Sequence, residues 1–166
     1  MTTIFLDIDG VITTHYEMMQ NQRKFWLKNP DAKEMRIPYN FNKKCVKILN
    51  EILQETECQI VLSSDWRHYW TLEELDKIFK WNKVIQSPVA VTGNHPISFD
   101  NLVQNRAYEI DLYIKEHKVF YFVILDDLPL DMYLENGNFI VCKDTEGLKQ
   151  TNHKNKILNL INKTIK

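Results

Sequence analysis

Short apolar runs recur along this chain, and two of them stop at pairs of acids. Ile4-Phe5-Leu6 leads into Asp7-Ile8-Asp9-Gly10-Val11, and Phe120-Tyr121-Phe122-Val123-Ile124-Leu125 leads into Asp126-Asp127. Runs this short and this continuously apolar read as buried strands of the kind found in parallel sheets. Carboxylates just past such strands are costly to bury unless paired or bound to a cation. A metal site with a spare nucleophile accounts for both pairs and points to phosphoryl-transfer chemistry.

Helical patterns separate the strands. Phe41, Cys45, Ile48, Leu49, Ile52 and Leu53 recur at the three- and four-residue spacing of one helix face over 41–55. Gln59 to Leu62 follow as a second strand. Thr71 and Glu74 form a capping-box pattern for a helix with Leu72, Leu75, Ile78 and Phe79 inward. Val84 and Ile85 make at best a short third strand. A loop with Gly93, Asn94 and Pro96 precedes a helix near 102–117 carrying Ala107, Ile110 and Ile114. The strand at 119–125 comes next, then a turn at Asn136-Gly137 and a strand from Phe139 to Cys142. Thr151 or Asn152 can cap a last helix bearing Ile157, Leu158 and Ile161. This alternation predicts an α/β fold, a Rossmann-like three-layer sandwich with a mainly parallel central sheet. At 166 residues the chain suits one domain, 1–166. Residues 13–40 break the pattern, with weak periodicity and with Pro30 and Pro38 as breakers. They read as a small insertion or flap after the first strand, holding a short helix around 16–28.

Composition narrows the function. A formal charge of -1 leaves no global footprint for nucleic acid or an anionic membrane. The stretches Arg23-Lys24 and Lys43-Lys44 read as solvated faces. Cys45, Cys58 and Cys142 have no Cys-x-x-Cys partner, so reduced thiols are expected rather than zinc. No basic, apolar and cleavage-site sequence precedes the first strand, and no apolar run approaches the ~18 residues of a membrane span. The expectation is a soluble cytoplasmic protein without membrane contact.

In an open parallel sheet, ligands bind outside the carboxyl ends of the strands where the winding reverses. Asp7, Ser63 and Asp126 each fall at such an end. If the first strand neighbours the one ending at Leu125, the acids and a hydroxyl converge there. One of Asp7 and Asp9 can attack phosphorus while the other handles a proton, and Gly10 lets the backbone turn sharply. Asp7-Ile8-Asp9-Gly10-Val11, Val61-Leu62-Ser63-Ser64, an upstream basic residue and Leu125-Asp126-Asp127 resemble the four motifs of the haloacid dehalogenase-like (HAD) hydrolase superfamily. Leu62-Ser63-Ser64-Asp65-Trp66-Arg67, Arg106 with Glu109-Ile110, Asp126-Asp127 and Thr145-x-Gly147-Leu148 resemble the HAD domain of the Swiss Army Knife RNA-repair proteins.

The resemblance implies that Asp7 is the nucleophile of an aspartyl-phosphate mechanism and that Asp9 is the acid and base. It implies Mg2+ on Asp7, the Asp9 carbonyl and Asp126, with Asp127 assisting. Ser63 would donate to a phosphoryl oxygen, and Arg106 would offset charge. Gly10, Ser64 and Arg67 are the further candidates for substrate contact, Arg67 through a bidentate fork.

Several of these have plainer rivals. Either serine can cap the following segment, and position after Leu62 favours Ser63 over Ser64. Asp65, Trp66 and Arg67 also read as a helix cap, a core indole and a surface cation. Arg106 can be a surface arginine paired with Glu109 or Asp111, which would leave Lys115 or Lys118 as the cation. The function expected is a Mg2+-dependent phosphomonoesterase acting on a phosphorylated substrate, with a nucleotide or nucleic-acid end suggested by the resemblance. A small-metabolite phosphatase and an inactive HAD-fold binding module are the alternatives.

Overall fold

Every residue of Thr2–Leu6 is buried, which places this strand, β1, at the centre of the sheet. In the computed structural model, residues 1–31, 40–93, 101–134, 138–149 and 152–164 are described. β1 pairs in parallel with β2 (Cys58–Leu62) on one side and β4 (Phe122–Asp126) on the other. β3 (Ala90–Val91) and β5 (Phe139–Val141) add the edges, giving five parallel strands in the order β3-β2-β1-β4-β5. The winding reverses between β1 and β4, where such sheets open a crevice. Leu6 lies opposite both Leu62 and Leu125, so Asp7, Ser63 and Asp126 leave the sheet at one level.

The period-two alternation of the strands divides the core. Ile4, Leu6, Ile60, Leu62, Val123 and Leu125 face one side, packed with residues of α2 (Lys43–Glu55), α3 (Leu72–Trp81) and α5 (His153–Thr164). Phe5, Val61 and Ile124 face the other, against Ala107 and Ile110 of α4 (Leu102–Glu116). The three-layer arrangement follows. Local signals set the helix starts: Asn42 caps α2 by accepting from the Lys44 and Cys45 N–H groups at 2.9 and 3.1 Å, and Thr71 and Glu74 close their capping box. α1 (His15–Lys28) lies within the segment expected to be an insertion and buries none of its residues. Its Glu17 accepts from the Asn42 amide, tying α1 to the start of α2.

The third strand is not at Val84-Ile85. Val84 is buried, but its N–H returns to the Phe79 carbonyl at 3.0 Å to close α3, and Ile85 is 53% exposed. The true strand, Ala90–Val91, is too short to show a periodicity. Leu72 is not inward either; it is the first residue of α3 and 42% exposed. Asn152 precedes α5 at φ 70° and its carbonyl accepts from Lys156. Thr151, Pro38, Asn94, Pro96 and the Asn136-Gly137 turn lie outside the described residues.

Candidate active site

The β1 ladder runs one residue past the strand. The Asp7 N–H donates to the Leu125 carbonyl at 2.9 Å, which carries Asp7 alongside β4. The backbone then folds over itself: Val11, Ile12 and Thr13 all donate to the Ile8 carbonyl, and Gly10 donates to Thr13 at 2.7 Å. Gly10 sits at φ +78°, and a Cβ there would collide with the Asp127 carboxylate. Gly10 does not line the cavity at the strand ends; its bare α-carbon makes room for Asp127. Gly10→Ala combines left-handed strain of about 1–3 kcal/mol with displacement of that carboxylate. A lower denaturation midpoint is expected, and an unchanged one would mean that the loop relaxes freely.

Asp7, Asp126 and Asp127 offer oxygens that all lie within 4.8 Å of one another. Arg106 reaches them from α4. Its Nη1 donates to Asp126 Oδ2 at 3.0 Å and lies 3.4 Å from Asp7 Oδ1, while Nη2 donates to Asp65 Oδ1 at 2.8 Å. Asp126 Oδ1 accepts from the Leu128 N–H at 3.0 Å. The surface reading of Arg106 therefore fails: the residue is 3% exposed. The partners imagined for it are taken, Glu109 by Arg67 and Asp111 by Lys115 at 2.5 Å. The Lys115 side chain is 70% exposed and occupied there, and among the described residues it is Arg106 that pairs with these acids.

One guanidinium among five carboxylates (Asp7, Asp9, Asp65, Asp126 and Asp127) leaves excess negative charge. Burial pushes the Asp7 and Asp126 acids well above their ordinary value, and Asp7 itself raises Asp126 further. Burial and then Asp7 bring Asp127 up to about 6, with Arg106 pulling weakly the other way. Burial likewise brings Asp9 up to about 6, opposed by its hydrogen bond from Trp66. Three clustered carboxylates that resist ionisation are a donor set for a hard divalent cation, which would offset their mutual repulsion. The Asp9 carboxylate is outside this cluster, because Trp66 Nε1 donates to its Oδ2 at 2.9 Å. Its expected metal contact thus does not involve the side chain.

The remaining candidates separate by location. Ser64 lines the cavity, where its hydroxyl opposes the rise of the Asp7 pKa, and its Oγ accepts from the Trp66 N–H at 3.5 Å to cap the following turn. Ser63, the expected contact, is fully buried; its Oγ has no partner among the described residues and does not line the cavity. The 3-10 turn at Asp65–His68 begins directly after Ser64, so it is Ser64 that is presented at the bend. Arg67 is no free phosphate fork. Its Nη1 donates to the Ser63 and Ser64 carbonyls at 3.2 and 2.8 Å and its Nη2 pairs with Glu109, which locks the turn. Asp65 and Trp66 are the residues that sequence reasoning undervalued. Their signal was an acid and an indole immediately after the serines of a strand end.

The cavity bounded by Asp7, Asp9, Ser64, Arg106 and Asp127 measures about 200 Å³. A larger groove of about 1220 Å³ runs along α2, but none of the five carboxylates lines it, so size alone does not mark the chemistry.

Comparison with known protein families matches residues 3–153 to the HAD domain in Swiss Army Knife RNA repair proteins. The chain belongs to this family. The HAD match takes in β1 from Thr3, the other four strands, every acid described above and the Gly147 turn. In that turn Leu148 donates to the Val11 carbonyl at 2.9 Å, and Gly147 sits at φ +59° where a Cβ would collide with the same carbonyl. The HAD loop carrying Asp9 and Gly10 is thus braced from both sides. No curated protein and no solved structure was found to match the chain. HAD membership implies a hydrolase, and the family generally uses Mg2+. Among the described residues no helix is long and apolar enough to cross a membrane.

Proposed function

We propose that this HAD domain is a Mg2+-dependent phosphatase that hydrolyses a phosphomonoester through an aspartyl-phosphate, with a nucleotide or nucleic-acid end as substrate. The observation that carries the reading is the separation of two neighbouring acids. Asp7 joins Asp126 and Asp127 beside Arg106, whereas Asp9 is held apart by Trp66. An Asp7 oxygen attacks phosphorus, the bond to the leaving oxygen breaks, and Asp9 donates its proton to that oxygen. Water then attacks the same phosphorus, Asp9 takes the proton, and the Asp7–phosphorus linkage breaks to release phosphate. Arg106 balances negative charge on Asp7 and the transferring group, and Ser64 donates to a phosphoryl oxygen. Asp7, Asp126 and Asp127 would hold the Mg2+, with the Asp9 carbonyl as the resemblance implies. Bound there, it supplies positive charge against the phosphoryl oxygens.

A cavity of about 200 Å³ is below the size of sites that enclose whole small molecules. It suits a phosphoryl group whose leaving portion stays outside, which favours a bulky end over an enclosed metabolite. The three cysteines are free and buried, in keeping with a reducing cytoplasm. Phosphate release from an aryl phosphate, from 3′- and 5′-phosphorylated oligonucleotides, from cyclic-phosphate ends and from mononucleotides, with and without Mg2+, tests the proposal. Release only with Mg2+, fastest from oligonucleotide ends, is expected. Preference for mononucleotides would favour a small-metabolite phosphatase, and no release from any substrate would favour a binding module.

Two further results follow from the acids. Asp9→Asn is expected to slow turnover about 10²-fold or more, and a wild-type rate would remove Asp9 from the mechanism. Without a divalent cation, Asp9 and Asp127 titrate near 6 instead of 3.8. The native state then holds more protons than the unfolded chain between these values, so the acids' contribution to stability falls as pH rises through them. An ion on the ionised Asp7, Asp126 and Asp127 cluster offsets the share of that loss carried by Asp127. Mg2+ should therefore raise Tm more at pH 8 than at pH 5; equal shifts would argue against an ion on these acids.

A further inference from the structure

Of the four acids at the strand ends, Asp9 alone has neither Arg106 nor a clustered carboxylate to fix its side chain. It stands in the loop after β1, bridged to Thr13 and followed by Gly10 at φ +78°. Among the described residues, the hydrogen bond to its side chain comes from an indole. Trp66 Nε1 donates to Asp9 Oδ2 at 2.9 Å, while Oδ1 is buried without a partner among the described residues. One oxygen is tethered and the other remains for a proton.

The tether is itself rigid. Trp66 is 6% exposed, and its ring meets Phe41 edge-on at 5.8 Å; Phe41 meets Phe79 at 5.5 Å and donates its backbone N–H to Asn82 at 2.8 Å. On the other side Arg67 fastens the same 3-10 turn to Glu109. We propose that Trp66 is a positioning residue for proton transfer: its indole N–H, seated by the aromatic core, aims the Asp9 carboxyl at the leaving oxygen. The inference rests on the phosphatase reading and adds to it that Asp9 is aimed from the core and not by its own loop.

A residue that aims an acid matters most when the leaving oxygen needs a proton. Trp66→Phe keeps a ring and removes the donor. With Mg2+ present, it should lower kcat for an alkyl phosphate roughly 10- to 100-fold and for p-nitrophenyl phosphate, whose leaving group departs unprotonated, by much less. KM should change little. In an Asp9→Asn background the same substitution should cost almost nothing further, because both act through one carboxyl. Equal losses on the two substrates, or a full additional loss in the double variant, would mean that Trp66 only packs.

A second measurement needs no tryptophan variant. The chain has four tryptophans, and in a ¹⁵N–¹H spectrum Asp9→Ala should shift one indole cross-peak strongly; no shift would overturn the tether. Wild-type inactivity on every phosphate with that shift intact would sink the phosphatase reading alone.

Discussion

Asp7→Asn is expected to abolish turnover, by roughly 10⁴-fold or more, in a protein that still folds. The amide keeps the shape of the carboxylate but loses the anionic oxygen that attacks phosphorus. Folding survives because Arg106 keeps Asp126 at 3.0 Å and Asp65 at 2.8 Å. Asp7 also raises the pKa of Asp126, so the two acids repel each other in the native state. Removing one charge relieves that repulsion, and without divalent cations Tm should stand at or above the wild-type value. Turnover at the wild-type rate would end the nucleophile assignment. A collapse in Tm would show that Asp7 serves the fold instead.

Arg106→Ala carries the second large effect, and it is two-sided. On sequence grounds this substitution is expected to hurt catalysis more than folding. The structure changes that expectation, because the guanidinium is buried and touches Asp7, Asp65 and Asp126. Its loss leaves buried carboxylates uncompensated, a cost of about 3–5 kcal/mol, together with a ~10²–10³-fold loss in kcat. The stability cost should shrink at pH 5, where more of the acids are protonated, and shrink again when Mg2+ supplies the missing charge. Arg106→Lys should recover only part of either effect, since an ammonium cannot span three carboxylates as a planar fork does. Denaturant titrations at pH 5 and pH 8, each with and without Mg2+, read the first effect and kcat reads the second. A stability cost independent of pH and ion would place Arg106 in the packing and not in the charge balance.

The correct expectations share a physical basis. Strands buried on both faces must be apolar throughout, so Ile4-Phe5-Leu6 and Val123-Ile124-Leu125 announce themselves, and acids directly beyond them stand out. The helix start at Thr71 was legible because one side chain caps its own backbone there; the helix expected from 41 instead begins at Lys43, behind Asn42, and Phe41 stands outside it. The failures share a basis too. β3 has two residues, fewer than any periodicity needs, while Val84 imitates a strand because the core takes its side chain after the helix has ended.

Sequence by itself determined the α/β architecture, the placing of Asp7 and Asp126 at strand ends, and the need for a counter-charge near them. Those follow from local pattern and from the cost of burying carboxylates; that the two ends meet at one level came from the strand order and register. Only the tertiary structure decided which cation answers that need, which serine faces the cavity, and what holds Asp9. Arg106 lies 20 residues from Asp126, Trp66 lies 57 from Asp9, and Arg67 lies 42 from Glu109. Partners at such separations are chosen by the crossing of helices over a twisted sheet, and no spacing along the chain records that choice.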